Sequence, residues 1–174
     1  MARLGRAYAL SGRRTEGLVL LEQAVEQVSA GSTFGMAGAC AYVLWLAEAY
    51  LLAGRADDAA QTASHALSSA RECQERGTEA WARRLLGEIA AHGHPPDADE
   101  AESYYREALA LADELGMRPL VAHCHRGLGT LYRQVDRDEH AKAELNTATE
   151  LYRAMEMAFW LEKAEAVLAQ VGAA

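Results

Sequence analysis

Two histidine pairs are the residues of this sequence whose types and spacing come closest to a metal site. His92 and His94 flank a glycine, and His123 and His125 flank Cys124. A zinc site needs three or four converging ligands, and residues two positions apart on a helix point to different faces. The spacing therefore argues against a metal site, and neither a metal ion nor another cofactor is expected.

The cysteines and the acidic residues also point away from catalysis. A nucleophilic Cys124 would need a base beside it, and His125 is expected to point elsewhere. The acid-rich stretch 97–102 lacks the glycine and the spacing of a calcium loop, and acids in the first turn of a helix favour its macrodipole. No phosphate-binding Gly-x-x-x-x-Gly-Lys motif occurs in the sequence. The sequence therefore predicts a protein that is not an enzyme.

Composition restricts the classes of partner. The 174 residues carry a net charge of −8, and the basic residues are scattered among acids, which argues against a nucleic-acid partner. No apolar stretch approaches the roughly 18 residues of a membrane span, so no membrane contact is expected. Three widely spaced cysteines give no disulfide framework. A reducing, cytoplasmic location is therefore expected.

A pattern that recurs about every 40 residues indicates how the chain is organised. A leucine and a small residue are followed by a tyrosine one turn later, and then by a glycine or aspartate. The leucines of successive copies are 42, 40 and 42 residues apart. A fixed period of this size is typical of stacked helix pairs. The four copies begin at Leu4-Gly5, Leu46-Ala47, Leu86-Gly87 and Leu128-Gly129, with tyrosines at Tyr8, Tyr50 and Tyr132 and turn residues at Gly12, Gly54, Gly93 and Asp136.

The period predicts an all-α fold, a right-handed solenoid of four antiparallel helix pairs and a capping helix, in one domain over 1–174. The pairs are expected at 2–30, 35–76, 78–115 and 119–156, and the cap at 158–171. Breaks are expected at Gly31-Ser32 with Gly35, at Gly77 and at Gly116, while Asp97 is expected to cap the helix after the His94–Pro96 turn. Small residues such as Gly129 should let paired helices approach closely, as should Ala24, Ala66, Ala108 and Ala148 on the second helices.

The two ends of the array are expected to differ. Trp160 and Leu161 should cover the last pair, with Glu162, Lys163 and Glu165 facing water. At the other end the opening helix is short, which leaves Leu4, Tyr8, Leu18 and Leu21 without a preceding repeat to cover them. An uncovered apolar edge favours self-association, so a homodimer through the first helix pair is expected.

The small-x-x-Tyr pattern, the turn and the alanine-centred second helix resemble the tetratricopeptide repeat, although the period exceeds that family's 34 residues. The runs Glu114–Tyr132 and Glu150–Leu161 look like the closing repeats of large bacterial signalling regulators that join a cyclase or helix-turn-helix module to a P-loop ATPase and a helical-repeat tail. The resemblance implies that this chain is the repeat tail alone.

The resemblance also implies a protein-interaction scaffold that holds a protein or peptide in the inner groove. Candidate groove residues are polar positions on the first helices, namely Arg84, Glu88, His125, Arg126 and Arg133. The aromatic pairs Tyr104-Tyr105 and Phe159-Trp160 suit either core packing or ligand stacking. An alternative function is a sensor domain in which a small effector controls an upstream ATPase or cyclase.

Overall fold

Helices account for nearly all of the chain that the structure describes. The structure is a computed structural model, and it describes residues 1–30, 39–93 and 96–171. Within these ranges there are nine helices and no strand. The helices are α1 (Ala2–Leu10), α2 (Arg14–Ser29), α3 (Ala39–Leu52), α4 (Ala56–Glu72), α5 (Arg76–His92), α6 (Ala98–Glu114), α7 (Arg118–Gln134), α8 (Asp138–Ala154) and α9 (Ala158–Leu168).

The helices form the predicted array of pairs. Each helix packs against the next one along the chain, and the first helices of successive pairs also touch, since α1 contacts α3, α3 contacts α5 and α5 contacts α7. The odd-numbered helices therefore form an inner layer and the even-numbered helices an outer one. This confirms an all-α solenoid of helix pairs.

Small residues lie where paired helices approach most closely. A Cβ atom on Gly129 would lie 2.6 Å from Cγ of Leu145 and 3.1 Å from the backbone nitrogen of that residue. Ala66, Ala108 and Ala148 on the outer helices are fully buried. The expectation that Gly129 and the repeated alanines serve close packing is confirmed.

The repeated tyrosine is joined to an arginine that the repeat pattern did not include. The guanidinium carbons of Arg13, Arg55 and Arg137 lie 3.8, 4.3 and 4.3 Å from the ring centres of the tyrosines five residues earlier. The backbone nitrogen of each arginine also donates to the carbonyl of the same tyrosine, over 2.9, 3.0 and 2.8 Å. The tyrosine and the arginine together therefore close three of the turns between paired helices. The tyrosines are Tyr8, Tyr50 and Tyr132.

The turn residues were predicted correctly except at Gly77. Gly12, Gly54, Gly116 and Asp136 have positive φ angles of 91°, 78°, 65° and 58°, which is common at the end of a helix. Gly93 follows the last residue of α5 as predicted, and its backbone is extended, with φ −61° and ψ 165°.

Gly77 does not end the second pair as predicted. It lies inside α5, and Gln74 with φ 56° makes the turn. Gln74 takes the left-handed conformation because the backbone nitrogen of Glu75 donates to the carbonyl of Ala70 over 2.8 Å, which closes the end of α4.

The second helix of the third pair, α6, begins with the predicted cap. The Asp97 side chain accepts a hydrogen bond of 2.9 Å from the backbone nitrogen of Glu100, which makes it the N-cap of α6. Pro119 lies in the first turn of α7.

Some of the predicted breaks lie outside the described residues. They are His94 and Pro95 in the third pair, and Gly31, Ser32 and Gly35 between the first two pairs.

The two ends of the array differ partly as expected. Trp160 and Leu161 of α9 pack on a cluster of Ala122, Ala148 and Tyr152, which confirms the covering role of α9. At the other end Leu4 is 48% exposed, but Leu21 is fully buried. The prediction that Leu21 belongs to the open edge is wrong. Its side chain reaches Gly5 of α1 instead, inside the pair.

Candidate functional site

The inner helices enclose a concave cavity with two adjoining compartments. The first compartment, of about 230 Å³, is lined by α1, α3 and α5, and the second, of about 150 Å³, by α1, α3, α5, α7 and α9. Residues of both the first and the last helix therefore line the second compartment. The charged and aromatic lining residues, referred to below as the cavity set, are Arg6, Trp45, Glu48, Trp81, Arg84, Glu88, His123, Arg126, Trp160 and Lys163.

Several members of the cavity set occupy equivalent positions on successive inner helices. Arg84 and Arg126 are 42 residues apart, as are Trp81 and His123. These separations equal the repeat period. Each inner helix therefore turns the equivalent position of its repeat towards the cavity. The aromatic and basic residues line up along the cavity wall as a result.

All three tryptophans of the chain line the cavity. The ring centres of Trp81 and Trp160 lie 5.5 and 4.7 Å from that of His123, which stands between them. The Nδ1 atom of His123 lies 2.7 Å from the hydroxyl of Tyr152 on α8. The aromatic wall is thus anchored to the outer layer of helices.

His123 is held neutral inside this wall. Only 6% of it is exposed. Burial lowers its pKa to about 3, and the charges of Arg84 and Arg126 act in the same direction. The ring therefore contributes a flat uncharged surface, and the positive charge of the cavity comes from arginine and lysine.

Two carboxylates neutralise one side of the cavity. Arg84, which is 5% exposed, donates through Nη1 to Glu88 over 2.6 Å, and its Nη2 lies 3.6 Å from a Glu48 oxygen. Arg6 donates through Nε to the other Glu48 oxygen over 3.0 Å. Although burial opposes it, Arg84 and Arg126 lower the pKa of Glu88. Glu88 is therefore ionised at neutral pH.

The other side of the cavity carries two cations, and one of them, Arg126, is near enough to Glu88 to lower its pKa. Arg126 and Lys163 lie 5.3 and 5.2 Å from the centre of the Trp160 ring. In the described part of the chain, Arg6 and Arg84 form ion pairs within 4.0 Å in this cavity, whereas Arg126 and Lys163 form none. The Nε atoms of Arg84 and Arg126 are buried, as are those of Arg83 and Arg133 outside the cavity.

Four cations thus face two carboxylates, and the cavity has an excess of two positive charges in a chain whose net charge is −8. Arginine and aromatic rings are the features of a surface that binds an anionic or aromatic group.

Comparison with known proteins agrees with this architecture. Residues 96–154 match the family described as Tetratricopeptide repeat. The matched part, which extends from α6 to the end of α8, therefore resembles tetratricopeptide repeats. No curated protein matches the sequence.

Solved structures share the tetratricopeptide-repeat fold along almost the whole chain. The crystal structure of BtubC (BKLC) from P. vanneervenii has a TM-score of 0.67 and 21% identity, and the match covers 97% of this chain and 75% of that one. A putative kinesin light chain from Podosopora anserina with nearly identical TPR-like repeats has a TM-score of 0.65 and 18% identity, with 98% and 90% coverage.

A third similar structure is a Signal Transduction ATPase with Numerous Domains protein with a tetratricopeptide repeat sensor, from Pyrococcus horikoshii. Its TM-score is 0.71 and its identity 19%, over 96% of this chain and 25% of that one. The present chain therefore spans about a quarter of that protein. At these identities the likeness concerns the fold, and tetratricopeptide repeats generally bind protein partners.

The structure brings three of the five predicted groove residues to the cavity of the tetratricopeptide-repeat array. Arg84, Glu88 and Arg126 line it. His125 instead faces α8, where its Nδ1 lies 2.5 Å from a Glu144 oxygen. Arg133 is not among the lining residues of either compartment.

Sequence reasoning missed several of the cavity residues. Arg6, Trp45, Trp81 and Lys163 were not selected, although the tryptophans gave a usable signal as three large residues on inner helices. Of the aromatic pairs, Trp160 lines the cavity, whereas Phe159 is 54% exposed and Tyr105 is buried between Gly87 and Gly127.

The cysteines and histidines occupy separate surroundings. Burial raises the pKa of Cys124 to about 12, which opposes thiolate formation. His123 and His125 contact different partners on α8, as expected for residues two positions apart. In the ranges that the structure describes, no three His, Cys, Asp or Glu side chains converge as metal ligands, and no helix is long and apolar enough to span a membrane.

Proposed function

We propose that this chain is a non-catalytic protein-interaction scaffold that receives a segment of a protein partner in the concave cavity. The observation that carries the proposal is the cavity set itself, in which three tryptophans and four cations from five helices converge. Tryptophan and arginine are the residues that most often dominate binding energy at interfaces. Nucleic acid and membrane surfaces are excluded from the proposal because the chain is acidic overall.

The charge distribution supports a protein partner with acidic groups. A positive cavity in an acidic protein attracts a negatively charged segment to that one place and repels it from the rest of the surface. Arg84 and Arg126 are also held in place before binding, because each lies against an indole ring, at 5.4 and 5.3 Å. Groups that are already fixed lose little conformational entropy on binding.

The proposal extends to the wider role of the chain, which is that of a repeat tail, acting in the cytoplasm, of a bacterial signalling or transcription regulator. The residues 114–161 resemble the closing repeats of such proteins. The likeness to a signal-transduction ATPase with a repeat sensor supports the same role at the level of the fold.

A second candidate function is a sensor of a small effector. The compartments of about 230 and 150 Å³ favour it, because they suit a compact group better than a long extended peptide. A saturable rise in melting temperature with one compound from a metabolite panel would support the sensor function.

We also propose that two copies associate through the first helix pair. Leu4 on α1 and Val19 on α2 are 48% and 47% exposed, and burying exposed apolar side chains stabilises a dimer.

The scaffold function is tested by partner capture with matched variants. The chain, Arg126→Glu in the cavity and Arg153→Glu on the outer helix α8 are each used to recover proteins from native lysate, and the recovered protein is then purified and titrated directly. A specific partner should bind the unmodified chain and Arg153→Glu but not Arg126→Glu. Equal binding by Arg126→Glu would show that the partner uses another surface and would overturn the proposal.

A further inference from the structure

The second compartment has a more specific chemistry than the cavity as a whole. Its α7–α9 side holds two cations, Arg126 and Lys163, on one indole ring, that of Trp160. Its α3–α5 side holds Arg84 with its charge already balanced by Glu48 and Glu88. A ligand anion therefore has one place in the compartment where it meets positive charge that no protein carboxylate contacts.

We propose that the second compartment binds a compact carboxylate whose apolar part is flat, with the carboxylate at Arg126 and Lys163 and the flat part against Trp81 and Trp160. This inference rests on the proposed function, since it names the chemistry that the cavity recognises.

The carboxylate follows from the shape and state of Arg126. A guanidinium presents its donors in a planar fork that matches two carboxylate oxygens. Arg126 is partly buried and forms no ion pair within 4.0 Å in the described part of the chain, so a ligand carboxylate would be its ion-pair partner. A partly desolvated charge attracts an opposite charge more strongly than one in open water does.

The flat apolar part follows from the remaining walls. The indoles of Trp81 and Trp160 stand on either side of His123, which is neutral because burial lowers its pKa to about 3. Leu10, Leu51 and Leu52 line the same compartment. Rings and leucines favour a flat hydrocarbon surface over a polar one.

The compactness follows from the two ends of the array. Arg6 and Leu10 of α1 and Trp160 and Lys163 of α9 line one compartment of about 150 Å³. A ligand seated there contacts the first and the last helix at once. An extended peptide could place one acidic residue and one flat side chain in this space, whereas the rest of its length would lie outside.

The carboxylate can come from a free small acid or from an acidic side chain of a partner, and two probe pairs distinguish them. One pair is 3-phenylpropionate and its uncharged amide, 3-phenylpropionamide. The other is the capped peptide acetyl-Glu-Phe-Glu-amide and its uncharged counterpart acetyl-Gln-Phe-Gln-amide. Binding is measured by calorimetry and by the indole N–H signals in ¹H–¹⁵N spectra, with the unmodified chain, Arg126→Gln, Lys163→Gln and Lys142→Gln. The last variant removes an exposed lysine of α8 that lies outside the cavity, so it controls for net charge.

At least one carboxylate probe should bind and shift the signal of Trp160, while its uncharged counterpart should bind about tenfold more weakly or not at all. Arg126→Gln and Lys163→Gln should each weaken binding about tenfold, and Lys142→Gln should leave it unchanged. Binding of the free acid alone identifies a small effector, and binding of the peptide alone identifies an acidic partner segment.

The inference is overturned if neither carboxylate probe binds, if the uncharged counterparts bind equally well, or if both cation variants bind like the unmodified chain. Lys163 is exposed, so its variant keeps the fold and remains informative even if Arg126→Gln does not fold. Partner capture that depends on Arg126 without any carboxylate binding would refute this inference and leave the proposed function standing. Carboxylate binding without any captured partner would refute the scaffold function and leave this inference standing.

Discussion

The two faces of the inner helices are built from different kinds of residue. The face turned towards the outer helices repeats the same types at the same spacing, with glycine or alanine at the crossing and, in three of the four copies, a tyrosine one turn later, as at Gly129 and Tyr132. The face turned towards the cavity carries large aromatic and charged residues, and its three tryptophans are not spaced by the repeat period.

The difference shows which face stabilises the fold and which is available for binding. Between paired helices, small residues allow close approach, and the apolar contacts stabilise the fold. In the cavity the charged Arg84 is buried and paired with Glu48 and Glu88, and a buried ion pair adds little to stability because desolvation opposes the attraction. Residues that add little to the stability of the free fold are typical of functional sites.

Removing the capping helix should have the largest effect. Deletion of residues 158–174 exposes the cluster of Ala122, Ala148 and Tyr152 that Trp160 and Leu161 cover. We expect aggregation or loss of cooperative unfolding, measured by light scattering and by thermal denaturation followed by circular dichroism. A shortened chain that stays soluble and melts at the same temperature would show that α9 serves the cavity alone.

Overpacking the helix interface should have the next largest effect. Gly129→Leu should lower the free energy of unfolding by on the order of 1–3 kcal/mol or more, because even a Cβ atom would lie 2.6 Å from Leu145. Gly77→Ala is the matched control, since the nearest atoms to its Cβ would be 3.7 and 3.8 Å away. Helix propensity should make that variant up to about 1 kcal/mol more stable. Chemical denaturation measures both, and a Gly129→Leu variant of unchanged stability would remove the close-contact argument.

Acid should destabilise the cavity face through His123. The folded pKa of about 3 lies below the ordinary value of 6.5, so the unfolded chain takes up the proton first as the pH falls. This contribution to stability is complete above about pH 6.5 and decreases by about 1.4 kcal/mol per pH unit below it. At pH 5 the loss is roughly 2 kcal/mol.

The test compares denaturation between pH 7 and 5 in the unmodified chain, His123→Gln and His65→Gln. The pH range ends at 5, where Glu79, Glu88 and Glu102 are still ionised because their pKa values are lowered. His123→Gln should reduce the pH dependence and His65→Gln, on the exposed side of α4, should not. Identical slopes in all three proteins would mean that His123 accepts a proton in the folded state.

The smallest effect is expected at the open edge of the first pair. Leu4→Glu should shift the association equilibrium from dimer towards monomer with little change in fold, because Leu4 is 48% exposed. Sedimentation at micromolar concentration measures this shift. A chain that is strictly monomeric before the substitution would refute the dimer.

Periodicity was sufficient to predict the helices, because each pair must bury the same stripe against its neighbours. The described helix ends lie within a few residues of the predicted ones, and the largest difference is at α4, which ends at Glu72 because Gln74 makes the turn. Glycine is the usual residue in that conformation, and for this reason the end of the second pair was predicted at Gly77.

The cavity could be predicted only in part, because the period does not fix the rotation of each helix about its axis. Arg84, Glu88 and Arg126 were selected as polar residues on inner helices, but so was His125, which faces Glu144. Lys163 was assigned to water, and it does lie exposed at the rim of the cavity. Its role depends on α1 and α9 lining one compartment, which is a long-range property of the whole array.

The indole N–H signals provide the most direct test of the central claim, that the concave cavity is the binding surface. The chain contains three tryptophans, Trp45, Trp81 and Trp160, and all three line the cavity. A ¹H–¹⁵N spectrum of the labelled chain therefore reports on the cavity through three resolved signals. Stoichiometric addition of a captured partner should shift the signals of Trp81 and Trp160. A partner that binds fully while all three indole signals stay unchanged would contradict the account.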